Sequence, residues 1–228
     1  MKVKNLNTDI CLVGDVHGEF DALFRKINHL EIGNCYLIHV GDGGEGFLPE
    51  PKQMRQFEHY NNFFKKHNIQ YLSIRGNHSD PSYFQGQVNL SHFELLPDYT
   101  YREFNGERFL FVGGAVSIDR RLRVPNVSWW EDETFVLKPE LVDKVDVLIT
   151  HSCPPWIGDF QKSGIAGWCE KDHTLWEECV KEREDIAKLI ELCGCKKHFS
   201  GHFHASHFAS HNGCDSRILD ILEIVEHR

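Results

Sequence analysis

Five times along the chain a short apolar run stops at glycine or threonine and hands over to Asp, Asn or His within a few residues. The handovers are Ile10-Cys-Leu-Val-Gly-Asp-Val-His-Gly18, Cys35-Tyr-Leu-Ile-His-Val-Gly-Asp42, Gln70-Tyr-Leu-Ser-Ile-Arg-Gly-Asn-His78, Val145-Asp-Val-Leu-Ile-Thr-His151 and Lys197-His-Phe-Ser-Gly-His-Phe-His204. Runs this short, apolar and rich in β-formers read as buried strands, and the glycines after them as tight turns. Stretches of helical period lie between the first three. Phe20, Leu23, Phe24, Ile27 and Leu30 form one stripe, and Met54, Phe57, Tyr60, Phe63 and Phe64 form another in a helix opened by Pro51 and running to about His67. Strand and helix in alternation specify an α/β layered fold, whose ligands gather outside the carboxyl ends of the strands.

The middle of the chain changes character. Thr100 to Phe104 and Arg108 to Val112 flank Asn105-Gly106, a hairpin signal. The stretch Arg120 to Glu133 has no period and reads as a long ordered loop over the strand ends, as does Pro155 to Lys171. A helix is expected from about His173 to Leu192, stopped by Gly194. His207 to His211, then Asn212-Gly213, then Ile218 to Val225 predict a closing hairpin or meander. No repeat or linker interrupts the chain, so a single domain over residues 1–228 is expected, with loop insertions near 117–135 and 153–172.

Composition narrows the function classes. A net charge of -9 argues against a protein that coats nucleic acid through a general basic surface. No apolar run has the length of a membrane span, and the N-terminus lacks a signal-peptide core, which predicts a cytoplasmic protein without membrane association. The eight cysteines are scattered without a disulfide framework and are expected to be reduced and mostly buried; Cys193-Gly-Cys195 has no second pair at zinc-finger spacing. Oligomeric state is left open.

An acid and an imidazole two apart on extended backbone project to one side, so Asp15 and His17 can reach one ion. Singly, Asn77 reads most readily as a turn residue and His151 more readily as a structural histidine. Together, the five strand ends supply Asp-x-His, Asp, Asn-His, His and His-x-His. In this order and with these glycines the chain resembles the calcineurin-like metallophosphoesterase family, whose blocks G-D-x-H-G, G-D, G-N-H, a later strand-end histidine and G-H-x-H stand here as Gly14 to Gly18, Gly41-Asp42, Gly76-Asn77-His78, Thr150-His151 and Gly201 to His204.

The resemblance implies a four-layer α/β/β/α sandwich of two mixed sheets flanked by helices, with a metal site at the strand C-terminal ends. It implies two divalent ions per chain, Mn, Fe or Zn by the nitrogen and oxygen donors. Asp15, His17 and His204 would hold one and Asn77, His151 and His202 the other, with Asp42 bridging. It further implies hydrolysis of a phosphomonoester or phosphodiester, a nucleotide among the candidates, by a hydroxide bridging the metals, with His78 serving the leaving oxygen. The phosphoprotein phosphatase branch orients that histidine through an acid three residues past the bridging Asp, in G-D-x-x-D-R-G. This chain has Glu45 there and Gly46 in place of the phosphate-binding arginine. Asp80 is a second candidate partner for His78, and the departure weighs against the Ser/Thr phosphoprotein phosphatase alternative. A non-catalytic module on the same fold is a further rival, disfavoured because every ligand position is kept. The phosphate clamp falls to Arg75 or to Arg120, Arg121 and Arg123, with Asn77 beside them; the arginine cluster reads equally as a solvated turn. Trp129 and Trp130 are expected to pack under their loop, with stacking on a base as the alternative.

Overall fold

The computed structural model describes residues 9–227. Twelve strands form two sheets of six. In the first, β1 (Asp9–Val13), β2 (Cys35–His39), β3 (Gln70–Ser73) and β5 (Phe93–Leu95) run parallel, with β12 (Ile224–Glu226) antiparallel on one edge and β4 (Asn89–Leu90) on the other. The second repeats the plan. Here β11 (Cys214–Ile218), β9 (Lys197–Ser200), β8 (Val147–Thr150) and β7 (Glu107–Val112) run parallel, edged by β10 (His207–His211) and β6 (Thr100–Phe104).

Strand periodicity explains the layers. On β1, Ile10 and Leu12 face the second sheet, while Cys11 and Val13 face the helices. On β7, Phe109 and Phe111 meet them in the inter-sheet core, and Leu110 and Val112 turn outward. The helices α1 (Phe20–His29) and α2 (Glu50–Lys66) cover the outer face of the first sheet with the predicted stripes, Phe20, Leu23, Phe24 and Ile27 on α1 and Phe57, Tyr60 and Phe64 on α2. After the short α3 (Ala166–Cys169), α4 (Leu175–Cys193) covers the second sheet through Ile186, Leu189, Ile190 and Cys193. It ends at Gly194, whose φ of 64° is the left-handed stop that glycine allows. The expected four-layer α/β/β/α sandwich of two mixed sheets is therefore observed.

Two details differ from the sequence reading. The closing segment is not one meander. The β10–β11 hairpin belongs to the second sheet, and the chain then crosses to add β12 to the first. Asp220 and Glu223 build that crossing, with the Asp220 N–H donating to Glu223 Oε2 at 2.9 Å. It also ties to β1, because Gly14 N–H donates to Glu223 O and Leu222 N–H to Asp15 O, each at 2.9 Å. Strands β4 and β5 were missed, being only two and three residues long. No helix among the described residues is long and apolar enough to cross a membrane, and all eight cysteines are free.

Candidate metal centre

The parallel strands β1, β2, β3, β8 and β9 deliver Asp15, Asp42, Asn77, His151 and His202 to one end of the sandwich, where Asp15, Asp42, Asn77 and His151 are buried. The Asp15–His17 pair does not stand on extended backbone as expected. The chain turns after Val13 because the Val16 and His17 N–H groups both donate to Asp42 O, at 3.2 and 2.7 Å, which leaves His17 at a φ of 48°. Two glycines give the carboxylates room. A Cβ on Gly76 would lie 2.0 Å from Asp42 Oδ1, and one on Gly201 would lie 2.0 Å from Asp15 Oδ1.

Each carboxylate is fixed by backbone. Asp42 Oδ1 accepts from the His78 N–H at 2.7 Å, and the Asp15 oxygens accept from the His202 N–H at 3.2 and 3.1 Å. Around Asp15, the His204 Nε2 lies 3.1 Å from Oδ2 and 2.9 Å from His17 Nε2. In a second cluster, Asn77 Oδ1 lies 3.1 Å from His151 Nε2 and 2.9 Å from His202 Nδ1. Asp42 Oδ2 sits between them, 3.3 Å from His151 Nε2 and 3.9 Å from His17 Nδ1.

These contacts set lone pair against lone pair. His151 Nδ1 donates to Val40 O at 2.8 Å, so in the neutral ring Nε2 is a bare acceptor. It faces Asn77 Oδ1 and Asp42 Oδ2, and Asn77 turns that oxygen inward because its Nδ2 donates to Ser117 Oγ at 3.1 Å. Such convergence demands positive charge. Burial opposes charge on His151, yet the facing Asp42 pushes the imidazole up to about 9. Burial likewise opposes the charge of Asp42, and His151 with His78 and His17 holds its carboxyl well below the usual range. Contact with Asp15 raises His204, while burial lowers His17 and, with His151 adjoining, holds His202 well below the histidine range. Among the described residues, three groups have donor atoms within 4.8 Å of one another: Asp15 with His17 and His204, His17 with Asp42 and His78, and Asp15 with Asp42 and His151. Imidazole nitrogens oriented by backbone carbonyls, carboxylates and an amide oxygen fit a divalent cation of the Mn, Fe or Zn kind.

The expected partners of His78 are elsewhere. Glu45 accepts from Ser79 Oγ at 2.8 Å, and burial pushes its carboxyl up to about 7. Asp80 accepts from the Ser82 N–H at 2.9 Å and caps the helical turn Pro81–Phe84. Arg123 takes their place, its Nη2 lying 2.6 Å from His78 Nε2 and 2.6 Å from Asp119 Oδ1. A guanidinium only donates, so His78 Nε2 accepts. Burial lowers His78 to about 4, with Asp42 pulling upward and the Arg123 charge adding to the fall.

The other arginines are engaged by the fold. Arg75 gives Nε and Nη2 to Asp98 Oδ2 and donates to the carbonyls of Asp132, Glu133 and Thr134, which leaves nothing for a phosphate. Arg120 is clasped by Asp172 and Glu178, and the mostly exposed Arg121 also reaches Asp172, at 3.2 Å. Trp130 is buried, as expected. A cavity of about 600 Å³ opens from Asp42, Asn77, His78, His202 and His204 and runs under the 159–168 segment to Glu182 and Arg183 of α4. Sequence reasoning missed Asp119, Phe160, Glu182 and Arg183. The last two had a signal, since they interrupt the apolar stripe of α4.

CWF19-like protein 1 of Mus musculus is 29% identical over 166 residues, which is 66% of this chain, and the match spans 29% of that relative's length. Solved structures with related folds include a protein of Staphylococcus aureus described as a 5'-nucleotidase, with 14% identity, 93% of this chain and 48% of that one covered and a TM-score of 0.49. Another is phosphopantetheinyl hydrolase of Mycobacterium tuberculosis, with 12% identity, 95% and 91% covered and a TM-score of 0.45. The family description that matches, calcineurin-like phosphoesterase, extends over residues 8–206, so that the chain carrying these strand-end residues belongs to the calcineurin-like phosphoesterase family.

Proposed function

We propose that the chain is a dinuclear metal-dependent hydrolase of a small phosphomonoester or phosphodiester. The observation that carries this reading is the placement of Asp42 Oδ2, 3.3 Å from His151 Nε2 and 3.9 Å from His17 Nδ1, facing both ligand clusters at once. Asp15, His17 and His204 would hold one cation and Asn77, His151 and His202 the other, with Asp42 shared. When bound, the pair supplies Lewis acidity toward phosphoryl oxygens and an acidified water. The remaining work belongs to the protein. Arg123, its Nη groups engaged by Asp119, by Ser117 Oγ at 3.0 Å and by Asn77 O at 3.1 Å, is a fixed positive charge beside the phosphate site rather than a free fork. It keeps the His78 ring proton on Nδ1, which is the donor left for the leaving oxygen. Arg75, Arg120 and Arg121 position loops instead.

A cavity of about 600 Å³ suits a small ligand such as a nucleotide. The phosphoprotein phosphatase reading gains nothing from the site. Where that branch has arginine, Gly46 has a φ of +96° and a Cβ there would lie 2.6 Å from the Asp80 Cβ. A reducing, cytoplasmic setting suits the eight free cysteines.

The test is turnover of phenyl phosphate and of its bis ester by protein loaded with Mn, Fe, Co, Ni or Zn. Asp42→Asn and His151→Ala are expected to lower kcat by about 100-fold or more, with metal content falling in parallel. Failure of every metal to support hydrolysis of either ester would refute the reading.

A further inference from the structure

The buried stripe of α4 contains Leu175, Cys179, Ile186 and Leu189, yet Glu182 and Arg183 occupy its centre. Both line the cavity that begins at the metal ligands. Arg183 is 4% exposed. Its Nη2 donates to Pro154 O at 2.9 Å and to Ile157 O at 2.5 Å. The rings of Phe160 and Phe203 cover the guanidinium, their centroids 4.9 and 5.1 Å from Cζ. Phe203 is the residue between His202 and His204, so the cation is braced against the metal-ligand motif itself.

What Arg183 lacks is an acid. The buried Arg75 and the half-buried Arg120 and Arg123 each have at least one: Arg75 pairs with Asp98 at 2.8 Å, Arg120 with Asp172 at 2.6 Å and also with Glu178, and Arg123 with Asp119 at 2.6 Å. Arg183 pairs with no carboxylate among the described residues, and its Nε and Nη1 have no hydrogen-bond partner. Capping the two carbonyls uses Nη2 alone and leaves the other donors idle. A buried guanidinium in that state is costly unless something anionic arrives. The cavity's own acids do not cancel it: Asp42 lies at its other end, among His151, His17 and His78. Asp119 is committed to Arg123, Asp159 is exposed, and burial pushes Glu182 up to about 7, toward its neutral form.

Resting on the hydrolase reading above, we infer that this cavity receives the remainder of the substrate, and that the substrate is a small phosphoester carrying a second anionic group, carboxylate or phosphate, bound by Arg183. Ile118, Phe160, Trp168 and Phe203 then line the path between the two anionic ends, which suits a short apolar or planar linker.

The test is calorimetric titration of the metal-loaded protein with non-hydrolysable probes: phenylphosphonate, the three positional isomers of carboxyphenylphosphonate, and 1,4-benzenediphosphonate. At least one doubly anionic probe is expected to bind about tenfold or more tightly than phenylphosphonate. The better of the carboxylate and phosphonate arms identifies the second group. Arg183→Gln should erase the preference and Arg183→Lys should restore part of it. Should both variants fail to fold, the comparison of probes on the unaltered protein decides alone. Equal affinity for all probes, or a preference that survives Arg183→Gln, overturns this inference and leaves the hydrolase reading standing, provided the same preparation turns over phenyl phosphate. If phenylphosphonate and every other probe fail to bind and phenyl phosphate is not hydrolysed, both fall.

Discussion

At the ends of β1, β2 and β9 the polar groups are held by backbone: the His78 N–H fixes Asp42, the His202 N–H fixes Asp15, and Asp42 O gathers the Val16 and His17 N–H groups. Across the cavity, in the loops of residues 117–135 and 153–172, the holding is done by side chains, most of them far apart in sequence and one pair, Arg123 with Asp119, only four residues apart. Arg120 reaches Asp172 and Glu178, and Arg123 reaches Asp119 and His78. The backbone differs too. The strand-end half puts His17, Asp42, His202 and His204 at φ between 48° and 66°, a region disfavoured for such side chains, whereas the loop half puts Asn126 and Gly158 at its positive-φ positions. The strand-end half therefore spends backbone strain on aiming ligands, and the loop half spends ion pairs on closing the cavity.

The sharpest way to break this contrast is a methyl group in the strand-end half. Gly76→Ala places a Cβ 2.0 Å from Asp42 Oδ1, so the shared carboxylate must move by an ångström or more. The expected outcome is a fall in kcat of about 100-fold or more, with metal content reduced and the folded state retained by circular dichroism. Activity within tenfold of the parent would mean that backbone does not set this half.

An effect of the second rank is expected in the loop half. Arg120→Ala leaves Asp172, whose side chain is 2% exposed, facing no cation except the largely exposed Arg121. The loss is about 2 kcal/mol, or a Tm lower by about 4–8 °C, with KM rising more than kcat falls because Arg120 holds the loop through Asp172 and Glu178 and itself touches none of the residues proposed to hold metal. The ion pair also has a pH signature. Its hydrogen bond with Arg120 holds the Asp172 carboxyl well below the usual range. That stability is present above the unfolded carboxylate value near 4 and is lost as pH falls through the lower folded value, so the Tm gap between parent and variant should narrow in acid. A kcat loss as large as that from Gly76→Ala, at unchanged KM, would erase the distinction between the halves.

The same contrast explains what could be read from the amino-acid sequence. Each strand-end candidate lies within a few residues of the strand and glycine that place it, so Asp15, His17, Asp42, Asn77, His151, His202 and His204 were visible as local motifs, and the period-2 strands and 3.6-period helices gave the layers. The arginines were not separable this way. Arg75, Arg120 and Arg123 look alike in sequence, and only contacts 58, 52 and 45 residues distant decide that Arg75 binds carbonyls, Arg120 a loop acid and Arg123 the histidine. The choice between Glu45 and Asp80 as partner of His78 stayed open for the same reason, since the contact of Glu45 with Ser79 depends on how two turns meet.

The smallest effect isolates the strain itself. His204 has a φ of 48°, and its imidazole contacts His17 and Asp15. His204→Ala and His204→Gly remove those contacts equally, so the difference between the two variants reports backbone alone. Alanine retains a Cβ that the left-handed conformation penalises by about 1–2 kcal/mol, whereas glycine escapes that penalty but loses about 0.5–1 kcal/mol of unfolded-state entropy. In metal-free protein the glycine variant is therefore expected to be the more stable by about 0.5–1 kcal/mol, a Tm gap of about 2 °C within reach of scanning calorimetry. An alanine variant more stable than glycine by the full entropy difference of about 0.5–1 kcal/mol would show that His204 costs the fold nothing, and the strand-end half would then differ from the loop half only in the kind of hydrogen bond it uses.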